Sequence, residues 1–465
     1  MRRSLRGQGV AMVTRERAIV VGSGMAGLLA ARVAADHFAE VLLAERDLLP
    51  AGPGPRRGTP QDRHNHLLLA GGQRALDGLF PGMMCELTSA GAVPFDYTQD
   101  MLWLSPFGWV PRFRSGITLY SCSRHLLEWR VRERIEALPN VRVVPGHAVI
   151  GLLAPAGRVT GVRVRPSAER GRSGTDLGAD LVVDASGRGS HLPRWLNDLG
   201  LAAADETVVD AHLAYATLIF QGAPRLPDGF RAALIQSSPP RSTRGGIAVP
   251  IEGDRTLVTL LARGGDRAPT DEGAFRAFAQ TLRDPAIHQA VEGLTPPGQV
   301  ANSRATQNRL RHYERVTPWP DGLVVLGDAV CALNPVYQQG MTTGARGALM
   351  LGELLRRRAN ESLAGMGRDF QRRLARANAT PWLLALVQDL RVAGVVAARP
   401  GRLARLRLAY VRRVSRATTR PEVLRALLEV RHMLRPGRAL LRPVVMRGVV
   451  ADALAGHLPP GWQPH

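Results

Sequence analysis

Hydrophobic spacing divides the chain into segments of different period. Arg17 to Val21 is a short apolar run that ends in a glycine cluster, and its continuity predicts a buried strand. Gly24 to His37 places apolar and small residues at helical spacing, and Val41 to Glu45 is a second apolar run. Together they predict a βαβ opening, followed by a Pro-, Gly- and Arg-rich loop from Leu49 to Arg63. Helical spacing returns in His66 to Leu79 and Met83 to Gly91. Met101 to Tyr120 alternates and carries Trp103, Phe107, Trp109 and Phe113, which predicts strands outside the first unit.

Ser123 can cap a helix running to about Leu138, whose Leu127, Val131 and Ile135 share one face. Val141 to Val144, Val149 to Leu153 and Val159 to Val164 predict a small sheet that leads to a buried strand at Leu181 to Asp184. Alternating strands fill Ala211 to Arg263, and Asp271 to Val291 is helical with a break at Pro285. Leu323 to Leu326 is another buried strand and Gly340 to Arg358 a helix. The remainder, to about residue 456, is helical and arginine-rich. In Arg402 to Arg416, Leu403, Leu406, Tyr410, Val411 and Val414 form one helical face with most arginines opposite. Packing against the protein's own body is expected, and peripheral contact with an anionic membrane is the alternative.

With 465 residues, 45% of them hydrophobic, the chain is long enough for two or three packed units. The three cysteines are far apart without metal-type spacing, so neither a disulfide framework nor a metal site is expected, and a reducing cytoplasm is. All 61 basic residues are arginine, which excludes any mechanism that needs a lysine amine. The net charge of +22 is spread through every segment without a recognition module, which argues against nucleic acid. No targeting signal is read at the N-terminus, where the first dozen residues are expected to be disordered and Met12 is an alternative start. Trp382 to Ala398 is interrupted by Asp389 and Arg391, so no transmembrane span is expected.

The glycine cluster has the spacing a dinucleotide turn requires. Gly22 permits the turn, Gly24 lets backbone approach a pyrophosphate, and Gly27 lets helix and strand pack closely. Met25 and Ala26 open the helix, whose unpaired N–H groups favour a diphosphate. Glu45 lies 18 residues beyond Gly27 at a strand end, where a carboxylate can accept from ribose hydroxyls. These residues alone leave NAD and FAD equally open.

Two later motifs decide between them by resemblance. Asp184-Ala-Ser-Gly187-Arg188 resembles the Asp-Gly motif of the p-hydroxybenzoate hydroxylase type of flavoprotein monooxygenase, and Gly327-Asp328 its Gly-Asp motif. Arg56, in Arg56-Arg57-Gly58, and Arg124 match arginines of that family that reach the cofactor; a guanidinium suits a diphosphate. Gly58-Thr-Pro-Gln-Asp-Arg-His64-Asn-His66, Gly71-Gly72-Gln73 and Asn334-Pro335-Val-Tyr337 with Gly340-Met341 are similar to bacterial polyether-antibiotic epoxidases, and more distantly to squalene epoxidase. This likeness spans about residues 17 to 355.

The resemblance implies an FAD contact set of Gly22, Gly24, Met25, Ala26, Gly27, Glu45, Arg46, Arg56, Arg124, Val149 (backbone to adenine), Asp184, Gly327, Asp328, Pro335, Gly340, Met341 and Thr342. It implies an FAD-dependent monooxygenase of secondary metabolism that uses a flavin C4a-hydroperoxide to epoxidise or hydroxylate a lipophilic polyketide or terpenoid. O2 is then co-substrate, and no side-chain base is assigned a catalytic role. With one Rossmann-type fingerprint, electrons would come from transiently bound NAD(P)H, a separate flavin reductase or a ferredoxin-type donor. Trp103, Phe107, Trp109 and Tyr337 are candidates to line the substrate pocket; His64 and His66 are expected to be hydrogen-bonded structural histidines. One departure concerns the flavin loop. The family's Pro-x-x-Gly-x-Gly reads Pro335-Val-Tyr-Gln338-Gln339-Gly340 here, and Gln338 fits only with negative φ or a tolerated left-handed conformation.

The expected fold is α/β: a discontinuous Rossmann-like FAD-binding domain (17–92, 121–205 and 300–355), an inserted β-rich substrate domain (93–120 and 206–299), and a helical C-terminal region (356–465) after residues 1–16. A flavin halogenase shares such a fold, but its chemistry relies on a lysine that this chain lacks. An isoprenoid reductase of the geranylgeranyl type and a non-catalytic flavin-binding protein remain as alternatives.

Overall fold

Five parallel strands form the scaffold in the spatial order Leu323–Val325, Leu181–Asp184, Arg17–Val21, Glu40–Ala44 and Val141–Val144. The first four runs are buried on both faces, as a sheet covered on both sides requires, whereas the edge strand Val141–Val144 leaves Arg142 exposed. The computed structural model describes residues 15–169, 171, 173–303, 306–390 and 401–454; the expectations for residues 1–14 and for the tail beyond Leu454 lie outside these. Val141–Val144 extends this parallel sheet beside Glu40–Ala44, not the small sheet expected for it. The small sheet is instead His147–Leu153, Gly161–Pro166 and an additional strand, Thr175–Gly178.

Two helices hold the sheet's carboxyl end together. Met25–Ala35 packs against Gly340–Arg357, and the crossing is close because Gly344 and Gly352 lack side chains where they meet Ala26 and Val33. Ser123 caps Arg124–Glu136 by accepting the Leu126 N–H at 3.1 Å, as expected. The helix expected from His66 begins only at Ala70, because His64 to Leu69 run extended into the protein and His66 Nδ1 folds back on the His64 carbonyl at 2.8 Å.

A seven-stranded sheet forms the second unit, ordered Ala301–Ser303, Ala214–Gln221, Arg255–Ala262, Gly245–Ile251, Ala232–Ile235, Met101–Ser105, Gly108–Trp109. Its side chains alternate between two cores. Leu102, Leu104, Ala248 and Leu260 pack against Phe275 and Ile287 of the helices Glu272–Gln280 and Ala286–Ala290. Met101, Trp103, Ile247 and Val249 face the opposite way, toward Leu424 and Leu428 of the tail.

The tail comprises the helices Met366–Asp389, Arg402–Arg416, Pro421–Arg431 and Pro443–Leu454, with a core of its own around Val387, Val411, Val414 and Val423. The face of Arg402–Arg416 differs from the one expected. Leu408, Val411 and Val414 are buried, whereas Leu403 and Leu406 are 62% and 69% exposed.

Candidate functional site: a dinucleotide crevice and an apolar cavity

At the carboxyl end of the parallel sheet the glycine turn is held by close packing. Gly22 sits at φ +93°, and a Cβ there would lie 2.9 Å from Ala185 O and Ser186 Cα. A Cβ on Gly27 would lie 1.8 Å from Gly22 O, whereas one on Gly24 would meet nothing within 4 Å. The backbone at Gly24 therefore faces open space, while the other two glycines fix the turn. Glu45, at the end of the second strand, accepts from Ser23 N and Ser23 Oγ at 2.8 Å each and from Asp47 N at 2.9 Å. Burial alone would raise its pKa, but these donors and the Arg56 guanidinium hold it below the usual carboxylate value.

Arg56 is buried and bridges two elements, pairing with Glu45 at 3.2 Å and with Glu128. Arg124 pairs with the same Glu128, Nε to Oε2 at 3.1 Å, and both arginines line a small cleft with Asp62 and His125. The structure thus brings Arg56 and Arg124 to one cleft, and Arg56 ties that cleft to Glu45 and Ser23 of the glycine turn. Gly327 and Gly344 both abut Ala26, and Gly340 faces Asp328, so the third motif closes onto the first. Burial pushes the Asp328 carboxyl up, and Arg188 and Arg124 counter that effect. Met341 and Thr342 follow in the first turn of the same helix.

Three further predicted contacts have surroundings of their own. Asp184 accepts from Ser186 N at 2.9 Å and from the Ser186 and Ser190 hydroxyls at 2.5 Å each, so its carboxylate shapes its own turn. Arg46 is exposed, with its carbonyl accepting from Ser167 Oγ at 2.7 Å. Val149 is half-buried at a β-bulge two residues beyond His147, whose N–H donates to Glu45 O.

The flavin-loop candidate adopts the left-handed alternative: Gln338 has φ +58° and ψ +18°. The loop is tied down on both sides. Asn334 accepts from Val336 N at 3.1 Å and from Tyr215 OH, and its own N–H donates to Asn308 Oδ1 at 2.7 Å. Tyr337 OH donates to Asp389 of the first tail helix, which also accepts from Asn308 and from Arg263 at 3.4 Å. Burial pushes the Asp389 carboxyl up, against these three donors.

This loop and His64–Asn65 bound a cavity of about 150 Å³. The seven-stranded sheet contributes Trp103, Leu234 and Ile247 to its wall, and the tail contributes Leu384, Val387 and Leu424. Trp103, Phe107 and Tyr337 line it. Trp109 does not. Its edge strand directs it to the other core, beside Leu102 and Leu104. That the tail forms a wall was not readable from local spacing, since the contacts join segments hundreds of residues apart.

His64 is the most informative polar group here. Asn65 N–H donates to Thr259 Oγ1 at 3.3 Å, Thr259 Oγ1 lies 2.7 Å from Thr217 Oγ1, and Thr217 Oγ1 lies 2.8 Å from His64 Nδ1, so the ring is held by a chain of hydrogen bonds from the sheet. Burial lowers the His64 pKa to about 4, so the ring is neutral at pH 7.

A flavin fits these residues. His64 Nε2, Asn65 Nδ2, Asn334 Nδ2, Gln338 Oε1, Gln339 Oε1 and Thr342 Oγ1 are buried without hydrogen-bond partners. All six lie on the two segments that meet at the end of the cavity. A ring system edged with carbonyl and N–H groups would complement such a set of donors and acceptors. Among the described residues no group of three or more His, Cys, Asp or Glu could hold a metal ion.

Fold and site together define a dinucleotide-binding oxidoreductase with an adjoining apolar pocket. Residues 18–194 match the FAD dependent oxidoreductase family. The chain is 33% identical over 387 residues to Protein Rv3254 of Mycobacterium tuberculosis, covering 81% of this chain and 80% of that protein. It is 30% identical to the kynurenine 3-monooxygenase of Salinispora arenicola, over 73% and 72% of the two chains. Its fold is that of the flavin-dependent brominase Bmp2, with a TM-score of 0.65 at 14% identity and coverage of 94% and 98%. The chain belongs to the FAD-dependent oxidoreductases and, within them, to the flavin monooxygenase superfamily.

Proposed function

We propose that this flavin monooxygenase inserts one atom of O2 into a lipophilic polyketide or terpenoid, by epoxidation or hydroxylation. The observation that supports this reading is the cavity: its walls are largely apolar, and one end is formed by the flavin-loop candidate and the adjoining helix N-terminus. Bound FAD supplies the redox chemistry and the activation of O2, with electrons from NAD(P)H or a separate reductase. Glu45, Arg56, Arg124, Asp328 and the amides at Gly24 to Gly27 would hold it.

This chain's own residues then have three tasks. Trp103, Leu234, Val387 and Leu424 exclude water and grip an apolar chain. The N–H groups at Gly340 to Thr342, at the start of an 18-residue helix with no acid in its first turn, favour negative charge beside them. The Tyr337–Asp389–Arg263 contacts hold the loop in place.

The test is incubation of reduced holoenzyme with a candidate polyene under labelled O2. One labelled oxygen in the product is the expected result; an unlabelled, reduced product would overturn the reading in favour of an isoprenoid-type reductase.

No helix of the described residues is long and apolar enough to cross a membrane. We propose that the tail's outer surface instead rests on an anionic membrane surface. Leu403, Leu406, Val450 and Leu454 are exposed there among arginines, which supports such a contact.

A further inference from the structure

The cavity contains one charge that no acidic side chain among the described residues neutralises. Two arginines line it, Arg263 and Arg431, and no Asp or Glu does. Arg263 is paired with Asp389 at 3.4 Å. Arg431, half-buried at the end of the helix Pro421–Arg431, has no ion-pair partner among the described residues. The nearest acid in sequence, Glu429, is engaged by Arg435 and Arg442. The residues outside the described set contain no Asp or Glu, so no side-chain carboxylate from them can serve Arg431 either.

The surroundings direct this guanidinium inward. It lies 6.0 Å from the ring centroid of Tyr97, a buried residue that also lines the cavity. Tyr97 packs edge-on against Trp103, whose Nε1 donates to Gln236 Oε1 at 3.0 Å. Arg431, Tyr97 and Gln236 therefore make a polar corner on a wall otherwise built of Leu234, Ile247 and Leu428. The flavin-loop candidate and His64 bound the cavity through different elements. A guanidinium facing an apolar, partly closed space without a counter-charge favours an anionic occupant, because a carboxylate there gains two charge-assisted hydrogen bonds.

We propose that Arg431 selects the substrate by its charge: the pocket takes an amphiphile with an apolar chain and a carboxylate, and Arg431 binds the carboxylate. This rests on the reading of the cavity as the site for a lipophilic substrate and adds to it the class of acid. Arg431 acts in recognition and takes no part in oxygen transfer.

The experiment compares two probes of equal length, dec-9-enoic acid and dec-9-en-1-ol, titrated into FAD-loaded protein at pH 8 with the flavin absorbance change as readout. The wild-type protein is expected to bind the acid at least about tenfold more tightly than the alcohol. Arg431→Gln is expected to bring the two affinities together by weakening the acid while leaving the alcohol unchanged, and Arg431→Lys to retain part of the preference. Equal binding of acid and alcohol by the wild type, or a preference that survives in Arg431→Gln, overturns the role of Arg431 and leaves the lipophilic pocket standing. If neither probe perturbs the flavin, the lipophilic reading fails and this inference with it. Melting temperatures of the variants separate these outcomes from loss of fold.

Discussion

Gly24 and Gly27 belong to one short motif yet differ in what a methyl group would do. At Gly27 the added Cβ would lie 1.8 Å from Gly22 O, so the turn or the helix must move; overpacking of this kind costs about 1–3 kcal/mol or more. At Gly24 the Cβ meets no protein atom within 4 Å. Gly24→Ala is therefore expected to fold with an unchanged apo melting temperature but to be purified with far less flavin, read as the ratio of absorbance at 450 to 280 nm. Gly27→Ala is expected to lose stability whether or not flavin is added. Equal flavin content in Gly24→Ala and wild type would remove Gly24 from the contact set. Both glycines were legible in the sequence because the demand on them is local: a turn of fixed geometry at a fixed spacing. Trp109 lies outside the cavity: on its two-residue strand, Gly108–Trp109, it pairs with Leu104 and packs on that residue's side of the sheet. His64 carries a pH expectation. Its folded pKa of about 4 lies below the unfolded value near 6.5, so its stabilising contribution is complete above pH 6.5 and is lost as the pH falls toward 4. At pH 5 the loss amounts to about 2 kcal/mol for this one ring. The drop in melting temperature between pH 7 and pH 5 should be smaller in His64→Gln than in wild type; an identical drop would mean that the ring is protonated in the fold at no cost.

Between elements, the hydrogen-bond network at Asp389 does what no single element could. It fastens the first tail helix to the loop Pro335–Tyr337 through Tyr337, to the strand Asn308–Arg311 through Asn308, and to the end of the strand Arg255–Ala262 through Arg263. Removing one member leaves the others buried and unpaired, which costs about 3–5 kcal/mol when the loss is a charge. Asp389→Ala is expected to melt at lower temperature, and Tyr337→Phe to melt almost normally but to show an altered flavin spectrum, because only the tether of the loop is cut. A Tyr337→Phe protein with the wild-type spectrum and turnover would show that the loop holds its shape without Asp389. The sequence held half of this. The parallel strands and the helix after Gly340 were readable from periodicity, and Asp389 stood out as an acid within an apolar stretch. Its partners lie 52, 81 and 126 residues away, and such distances leave no mark in local spacing. For the same reason the tail read as an appendage, although Val387, Val411 and Leu424 complete the cavity wall.

For the whole molecule, the distribution of charge and exposed apolar side chains gives the tail two faces of different character. Its inner face covers the cavity; its outer surface carries Leu403, Leu406, Leu441, Val450 and Leu454, each more than half exposed. The net charge of +22 attracts the whole chain to anionic surfaces, but charge alone neither orients it nor resists salt. Insertion of leucines does both, at about 1 kcal/mol or more for each side chain that leaves water. The protein is therefore expected to sediment with vesicles rich in anionic lipid and not with zwitterionic ones, and to remain partly bound at a salt concentration that releases a purely electrostatic ligand. The double variant Leu403→Asp/Leu406→Asp should lose the salt-resistant fraction while keeping its flavin and its melting temperature, since neither side chain belongs to the tail's core. Equal sedimentation of the double variant and wild type at high salt would mean that the outer leucines meet no membrane. In that case the cavity fills from water, and the arginines of the tail serve some other acidic surface.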